Sequence, residues 1–126
     1  MATATSFRDL RIFQLATQLA SDVYHLTGNL PATDHSDLAA HLQRIAVDIP
    51  TLIAIGHKSG KRSLFRTSCI QALARLDELE VLLVVGGELH PSVPSNDIVD
   101  QLDEVRQALK TVVKKLAAPK RPAKTV

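Results

Sequence analysis

The chain is poor in aromatic residues. They make up only 3% of its 126 residues, with no Trp and a single Tyr. A core must then be built from Leu, Ile, Val and Ala, which favours packed helices over a sandwich or barrel rich in aromatic and β-branched alternation. There is one cysteine, Cys69. It excludes an internal disulfide and any metal site made of several thiolates, and it fits a reducing cytoplasm, where the chain is expected to reside. No uninterrupted apolar run reaches the roughly 18 residues that span a bilayer, so no membrane association is expected. Residues 1–6 carry no basic flank leading into an apolar core, so they do not read as a signal peptide. Charge of one sign is not in excess either: 15 Lys and Arg face 13 Asp and Glu, a net charge of +2. Composition alone therefore does not indicate a nucleic-acid protein.

What is present is ordinary for a folded domain: 45% apolar and 22% charged residues, in a chain long enough for one core. The periodicity predicts four helices over residues 6–28, 34–58, 63–86 and 95–117. The first opens at Ser6, with Asp9 at capping-box spacing, and carries Leu10, Phe13, Ala16, Ala20, Val23 and Tyr24 on one face, ending at Gly28, Asn29 and Pro31. The second starts at Thr33 and Asp34 and repeats Leu38, Leu42, Ile45, Ile49, Leu52 and Gly56 at spacings of four and three, a packing seam. Pro50 lies inside that seam and reads as a kink rather than a break, because the apolar repeat continues through it. The third repeats Phe65, Cys69, Ala72, Leu76, Leu79 and Leu83 until Gly86 and Gly87, which are expected to stop it ahead of a loop marked by Pro91 and Pro94. The fourth starts at Ser95 or Asn96 and carries Ile98, Leu102, Val105, Leu109, Val112 and Leu116; Pro119 ends it and residues 118–126 form a basic, flexible tail. Each rod is about 30 Å long. Similar lengths and short connections predict an all-α fold, an antiparallel up-down-up-down four-helix bundle in one domain.

Two stretches carry more apolar surface than one buried face requires. One is Ile49 to Ile55, with Leu52, Ile53 and Ile55; the other is Val-Leu-Leu-Val-Val from Val81 to Val85. A helix apolar all round must be covered all round, so Leu52, Ile53, Ile55, Val81, Val84 and Val85 are the candidate contacts of a homo-oligomer.

Antiparallel threading also sorts the charge by end. The start of helix one, the link between helices two and three and the end of helix four would share one pole, collecting Arg8, Arg11, Lys58, Lys61, Arg62, Arg66, Lys110, Lys114 and Lys115, with Lys120, Arg121 and Lys124 in the tail. Only Asp9 opposes them there. The other pole collects most of the acids, from Asp22, Asp34 and Asp37 to Asp97, Asp100, Asp103 and Glu104. Helix dipoles account for part of this sorting, at about 0.3–1 kcal/mol per favourable charge. They do not account for Lys58, Lys61, Arg62 and Arg66 around one short connection. Such a cluster is the footprint of a polyanion partner, RNA or DNA, or else a solvated end. With so few aromatics, contact to nucleic acid would fall mostly on phosphates.

No residue pattern assembles a reaction. His41 and Asp37 share a helix face, but two ligands are not a metal site, and no companion Glu-x-x-His motif stands on another helix. Cys69 falls on a core seam and reads as a small hydrophobe. Gly56-His-Lys-Ser-Gly60-Lys61 resembles a fragment of a phosphate loop but lacks the preceding strand. Neither enzyme activity nor a cofactor is expected.

Three segments carry a family resemblance: Ser6-Phe-Arg-Asp-Leu10; Gln43-Arg-Ile-Ala-Val-Asp-Ile-Pro50 with Ile53-Ala-Ile-Gly56; and Ala72-Leu-Ala-Arg-Leu-Asp-Glu-Leu-Glu80. In this order they resemble the four-helix-bundle proteins encoded in intervening sequences of bacterial 23S ribosomal RNA genes, over residues 6 to 117. The resemblance implies a ring-like homopentamer. It also implies kinship with the accessory protein of diversity-generating retroelements, a basic pentamer that binds a reverse transcriptase and nucleic acid. The sequence departs from the family pattern at Asp48, usually Ser, at Leu52, usually Asn, at Ile55, usually Glu, and at Ala74-Arg75, usually Gly-Ser. Two readings of function follow: an oligomeric accessory module that binds nucleic acid or a nucleoprotein through the basic pole, or an oligomeric scaffold for another protein with no nucleic-acid binding.

Overall fold

The computed structural model describes residues 6–28, 30, 37–91 and 96–117. Among these residues the fold is all-α, with four helices and no strand: α1 Arg11–Thr27, α2 Leu38–Lys58, α3 Arg62–Leu89 and α4 Asn96–Ala117, preceded by a single 3-10 turn at Phe7–Asp9. The expected caps at Thr33, Asp34 and Ser95, the stops at Asn29, Pro31, Pro94 and Pro119, and the tail bases Lys120, Arg121 and Lys124 lie outside the described residues.

Successive helices pack on one another and α4 packs back on α1, whereas α1 and α3, like α2 and α4, make no close backbone approach among the described residues. These contacts are consistent with a four-helix bundle around one core. Ile12, Leu19 and Val23 enter it from α1, Leu42, Ile45, Ile49 and Ile53 from α2, Cys69, Leu76 and Leu79 from α3, and Leu102, Val105 and Leu109 from α4. The seams read from α2, α3 and α4 are the buried lines of those helices. On α1 the expected stripe is rotated: Ile12 and Leu19 are buried, and Tyr24 is exposed.

Polar ties fix the helix pairs. Gln43 Nε2 donates to Thr27 Oγ1 at 2.9 Å, joining α1 to α2. Asp48 pairs with Arg75 at 3.8 Å and His41 with Glu78 at 3.8 Å, joining α2 to α3. Gln101 Nε2 donates to Asp22 and Arg11 pairs with Glu104 at 3.6 Å, joining α4 to α1.

Several helix ends differ from expectation. Ser6 caps the 3-10 turn, accepting from the Arg8 backbone N–H at 3.1 Å, but Leu10 is extended and α1 starts only at Arg11. The capping-box spacing therefore opens a turn and not the helix. Helix α2 runs through Pro50 without interruption. Gly86 and Gly87 do not stop α3, which continues to Leu89. A glycine ends a helix by taking a left-handed backbone, and the only described glycine with positive φ is Gly60, at 71°. Gly86 serves packing instead: a Cβ there would lie 3.2 Å from Leu38 Cδ2.

Helix α2 reaches the length and mean hydropathy, 1.3, at which a helix could cross a bilayer, although no apolar run in it is long enough to announce this. Its residues Leu38, Leu42, Ile45, Ile49 and Ile53 form part of the protein core.

Candidate nucleic-acid interface

Three separate chain segments meet at one end of the protein. The 3-10 turn approaches the end of α2, with Lys58 Nζ 5.9 Å from the Phe7 ring centroid. The start of α3 meets the end of α4: Arg62 donates through its η2 nitrogen to the Lys115 carbonyl at 2.6 Å and through Nε to the Leu116 carbonyl at 3.1 Å. One turn further on, Arg66 Nε donates to the Val113 carbonyl at 3.3 Å. Arg8, Lys58, Lys61, Arg62, Arg66, Lys114 and Lys115 are thereby brought to one pole, with Lys110 a turn away on α4.

The structure divides these bases by task. The last four carbonyls of a helix lack intrahelical partners, and the negative end of the helix dipole favours a cation there. Arg62 fills that role for α4 at the Lys115 and Leu116 carbonyls, and Arg66 adds a bond to the Val113 carbonyl further up the helix, so both guanidinium groups are committed to backbone oxygens. Arg11 is committed to Glu104, an acid that sequence reading had assigned to the opposite pole. Arg8 lies 4.8 Å from the Phe7 ring centroid. Among the described residues Lys61, Lys110, Lys114 and Lys115 are exposed and make no ion pair. The mobile cations available to a polyanion are therefore the lysines.

Two grooves mark this pole and share His57. The larger is about 480 Å³ and is lined by Leu10, His57, Gly60, Lys61, Arg62, Phe65 and Leu116. The second, about 460 Å³, is lined by Ser6, Phe7, Arg8, His57 and Lys58. All three phenylalanines of the chain gather here, which composition alone does not reveal. Phe7 meets Phe13 edge to face at 4.9 Å, and Phe65 meets His57 likewise at 5.5 Å.

Outside this pole, Arg75 and Arg106 are tied into ion pairs between helices. Arg106, missed as a structural residue in the sequence, donates to Asp77 at 3.0 Å, Glu80 at 2.6 Å and Asp103 at 2.6 Å. Burial alone would lower its pKa, but the hydrogen bonds and charges of Glu80 and Asp77 outweigh it and hold the guanidinium above its ordinary range. Only the Asp103 partner, three residues upstream on α4, was legible from spacing.

The candidate interface residues separate in the same way. Ile53 is fully buried in the core and cannot face a partner, and Leu52 is half-buried against the core. Sequence reading had counted Ile53 as surplus, but its seven-residue spacing from Ala46 keeps it on the inward side of α2. Ile55, Val81 and Val84 are 60%, 61% and 60% exposed, and Val85 is exposed at 44%. Ile70, Val81, Val84 and Val85 fall on one face of α3 at 100° per residue. Ile70, Val47, Leu64 and Leu89 add exposed apolar surface that the sequence reading did not single out.

The Cys69 thiol is fully buried, and desolvation raises its pKa from 9.0 to about 11. His41 is drawn to Glu78 on α3, while Asp37, with φ of 60°, sets the left-handed start of α2. Gly56 of the phosphate-loop-like fragment is buried inside α2, so that fragment is a helix end and turn.

These features define a small all-α protein with a lysine-rich pole and an exposed apolar face. The family model of the 23S rRNA-intervening sequence proteins matches residues 8–116, and the chain belongs to that family. No curated protein matches it. Asp48, Leu52 and Arg75 line one groove between α2 and α3.

Proposed function

We propose that the chain is a non-enzymatic, oligomeric four-helix module of the cytoplasm, without a cofactor or membrane association, that binds RNA or DNA, or a nucleoprotein such as a reverse transcriptase, through its basic pole. The observation that carries this reading is the convergence of Lys58 and Lys61 from the α2–α3 connection with Lys114 and Lys115 from the end of α4, while the neighbouring Arg62 and Arg66 are committed to α4. Lysines left without acidic partners at one end create a positive potential that attracts phosphates.

The helices are proposed to alternate in direction, up-down-up-down. The order of contacts supports this: His41 pairs with Glu78 and the later Asp48 with the earlier Arg75. Arg62 meets Leu116 and the later Arg106 partner Glu80 meets the earlier part of α4. Self-association, as the pentamer of the family resemblance, is supported by the exposed valines of α3, since a contiguous apolar face favours burial in an interface. A ring with like poles together would add the fields of its subunits. The same apolar face also favours the second reading, a scaffold that binds protein alone.

Charge reversal at Lys58, Lys61, Lys114 and Lys115 separates the two. Under the first reading it abolishes retention of RNA, and wild-type affinity falls steeply between about 50 and about 200 mM salt. Retention that survives both changes refutes the polyanion reading. Val81→Asp with Val84→Asp tests assembly by light scattering; a wild-type protein that is already monomeric removes the oligomer from the proposal.

A further inference from the structure

The basic pole is more than a charged surface. Its larger groove has an apolar floor, Leu10, Phe65 and Leu116, inside a rim of His57, Lys61 and Arg62. At about 480 Å³ it falls in the range of about 300–1,000 Å³ typical of clefts that take small ligands. Phosphate contact alone needs only exposed cations; it does not need an aromatic ring and two leucines sunk between them. Duplex nucleic acid presents phosphates outward and keeps its bases stacked inside, so it offers nothing to such a floor. A single strand offers both, a negatively charged backbone and flat apolar faces that bind aromatic side chains.

We infer that this groove seats an unstacked base of a single-stranded nucleic acid against Phe65, with the adjoining phosphates carried by Lys58, Lys61 and the lysines at the end of α4. This rests on the polyanion reading above and narrows it to the single-stranded form. The second groove, around Phe7, Arg8 and Lys58, joins the first through His57 and extends the path for the strand.

The test varies the ligand before the protein. Fluorescence anisotropy compares a labelled single strand of about 12 nucleotides with an abasic strand of the same length and with the corresponding duplex. The intact strand is expected to bind about fivefold tighter or more than the abasic strand for each seated base. Phe65→Leu, which keeps an apolar side chain in the same packing, is expected to bring the intact strand down to the abasic level and leave abasic binding unchanged. Thermal unfolding of that variant checks that it remains folded. Equal binding of intact, abasic and duplex ligands overturns the base seat while leaving phosphate binding in place. A base preference that survives Phe65→Leu in the folded variant also overturns it, because the seat is then elsewhere. Binding of none of the three at low salt overturns the polyanion reading itself.

Discussion

A methyl group added at Gly56 has no room. A Cβ built there lies 2.5 Å from Ser68 Cβ, 2.7 Å from Ser68 Oγ and 3.3 Å from Phe65 Cα. Carbon atoms in good contact stand about 3.5–4.0 Å apart, so α2 and α3 must separate by about 1 Å to admit it. Rotating Ser68 moves its hydroxyl away but leaves its Cβ, which is fixed to the backbone. Overpacking of this kind costs about 1–3 kcal/mol. Alanine returns about 1 kcal/mol by its better helix propensity. Gly56→Ala is therefore expected to lose up to about 2 kcal/mol net, each kcal/mol lowering the melting temperature by about 3–6 °C in a domain of this size. Urea unfolding followed by circular dichroism measures the loss. Ser68→Gly removes the clashing atoms at a propensity cost of about 0.5 kcal/mol, so the double variant should be more stable than the two single effects predict by at least about 1 kcal/mol. A Gly56→Ala protein more stable than wild type by about 1 kcal/mol, the full propensity gain, or a cycle additive within about 0.5 kcal/mol, would refute the close crossing of α2 and α3.

Arg106→Leu should destabilise by about 1–3 kcal/mol, because three carboxylates lose a charged donor; an unchanged urea midpoint would show that the tie between α3 and α4 contributes nothing. Arg62→Ala should speed hydrogen exchange in the last turn of α4 and lower stability by about 1 kcal/mol. In the same proteins, nucleic-acid affinity should fall less for Arg62→Ala than for Lys61→Glu; the reverse order would mean that Arg62 is a ligand contact first. The Cys69 thiol should resist thiol reagents in the native protein and react only at the rate of unfolding, so labelling of folded protein at neutral pH counts against its burial. Its folded pKa of about 11 lies above the ordinary 9.0. The unfolded chain therefore ionises first, and this contribution to stability, complete below pH 9.0, is lost as pH rises towards about 11. Cys69→Ala should flatten that part of the pH profile.

The division of the basic pole changes how the charge cluster is understood. Counted along the chain, Lys58, Lys61, Arg62 and Arg66 look equivalent. In the fold, the two arginines donate to backbone carbonyls near the end of α4, and the two lysines remain free for a ligand. Variants at Arg62 or Arg66 would therefore disturb the helix end and the ligand surface together, and the lysines report on binding more cleanly.

The sequence by itself determined the helices and most of the core. Repeats of four and three along α2, α3 and α4 place Leu42, Ile49, Leu76, Leu79, Leu102 and Leu109 on one line each, because a helix returns to the same face every 3.6 residues or so. That periodicity even carried α2 through Pro50. It could not say which neighbour covers a face, and only the tertiary structure decided that. Ile53 and Ile55 are both isoleucines in one apolar stretch, yet one is sealed in the core and the other is open. Gly86 and Gly87 looked like a stop, but a helix ends where its backbone turns left-handed or loses its cover, and α2 covers α3 at Gly86. The same holds for the pole: Phe7, Phe65 and Leu116 are far apart along the chain, and only the packing of the helices sets them around shared grooves. Local spacing fixes what one helix presents, whereas the geometry between helices fixes what those presented groups become.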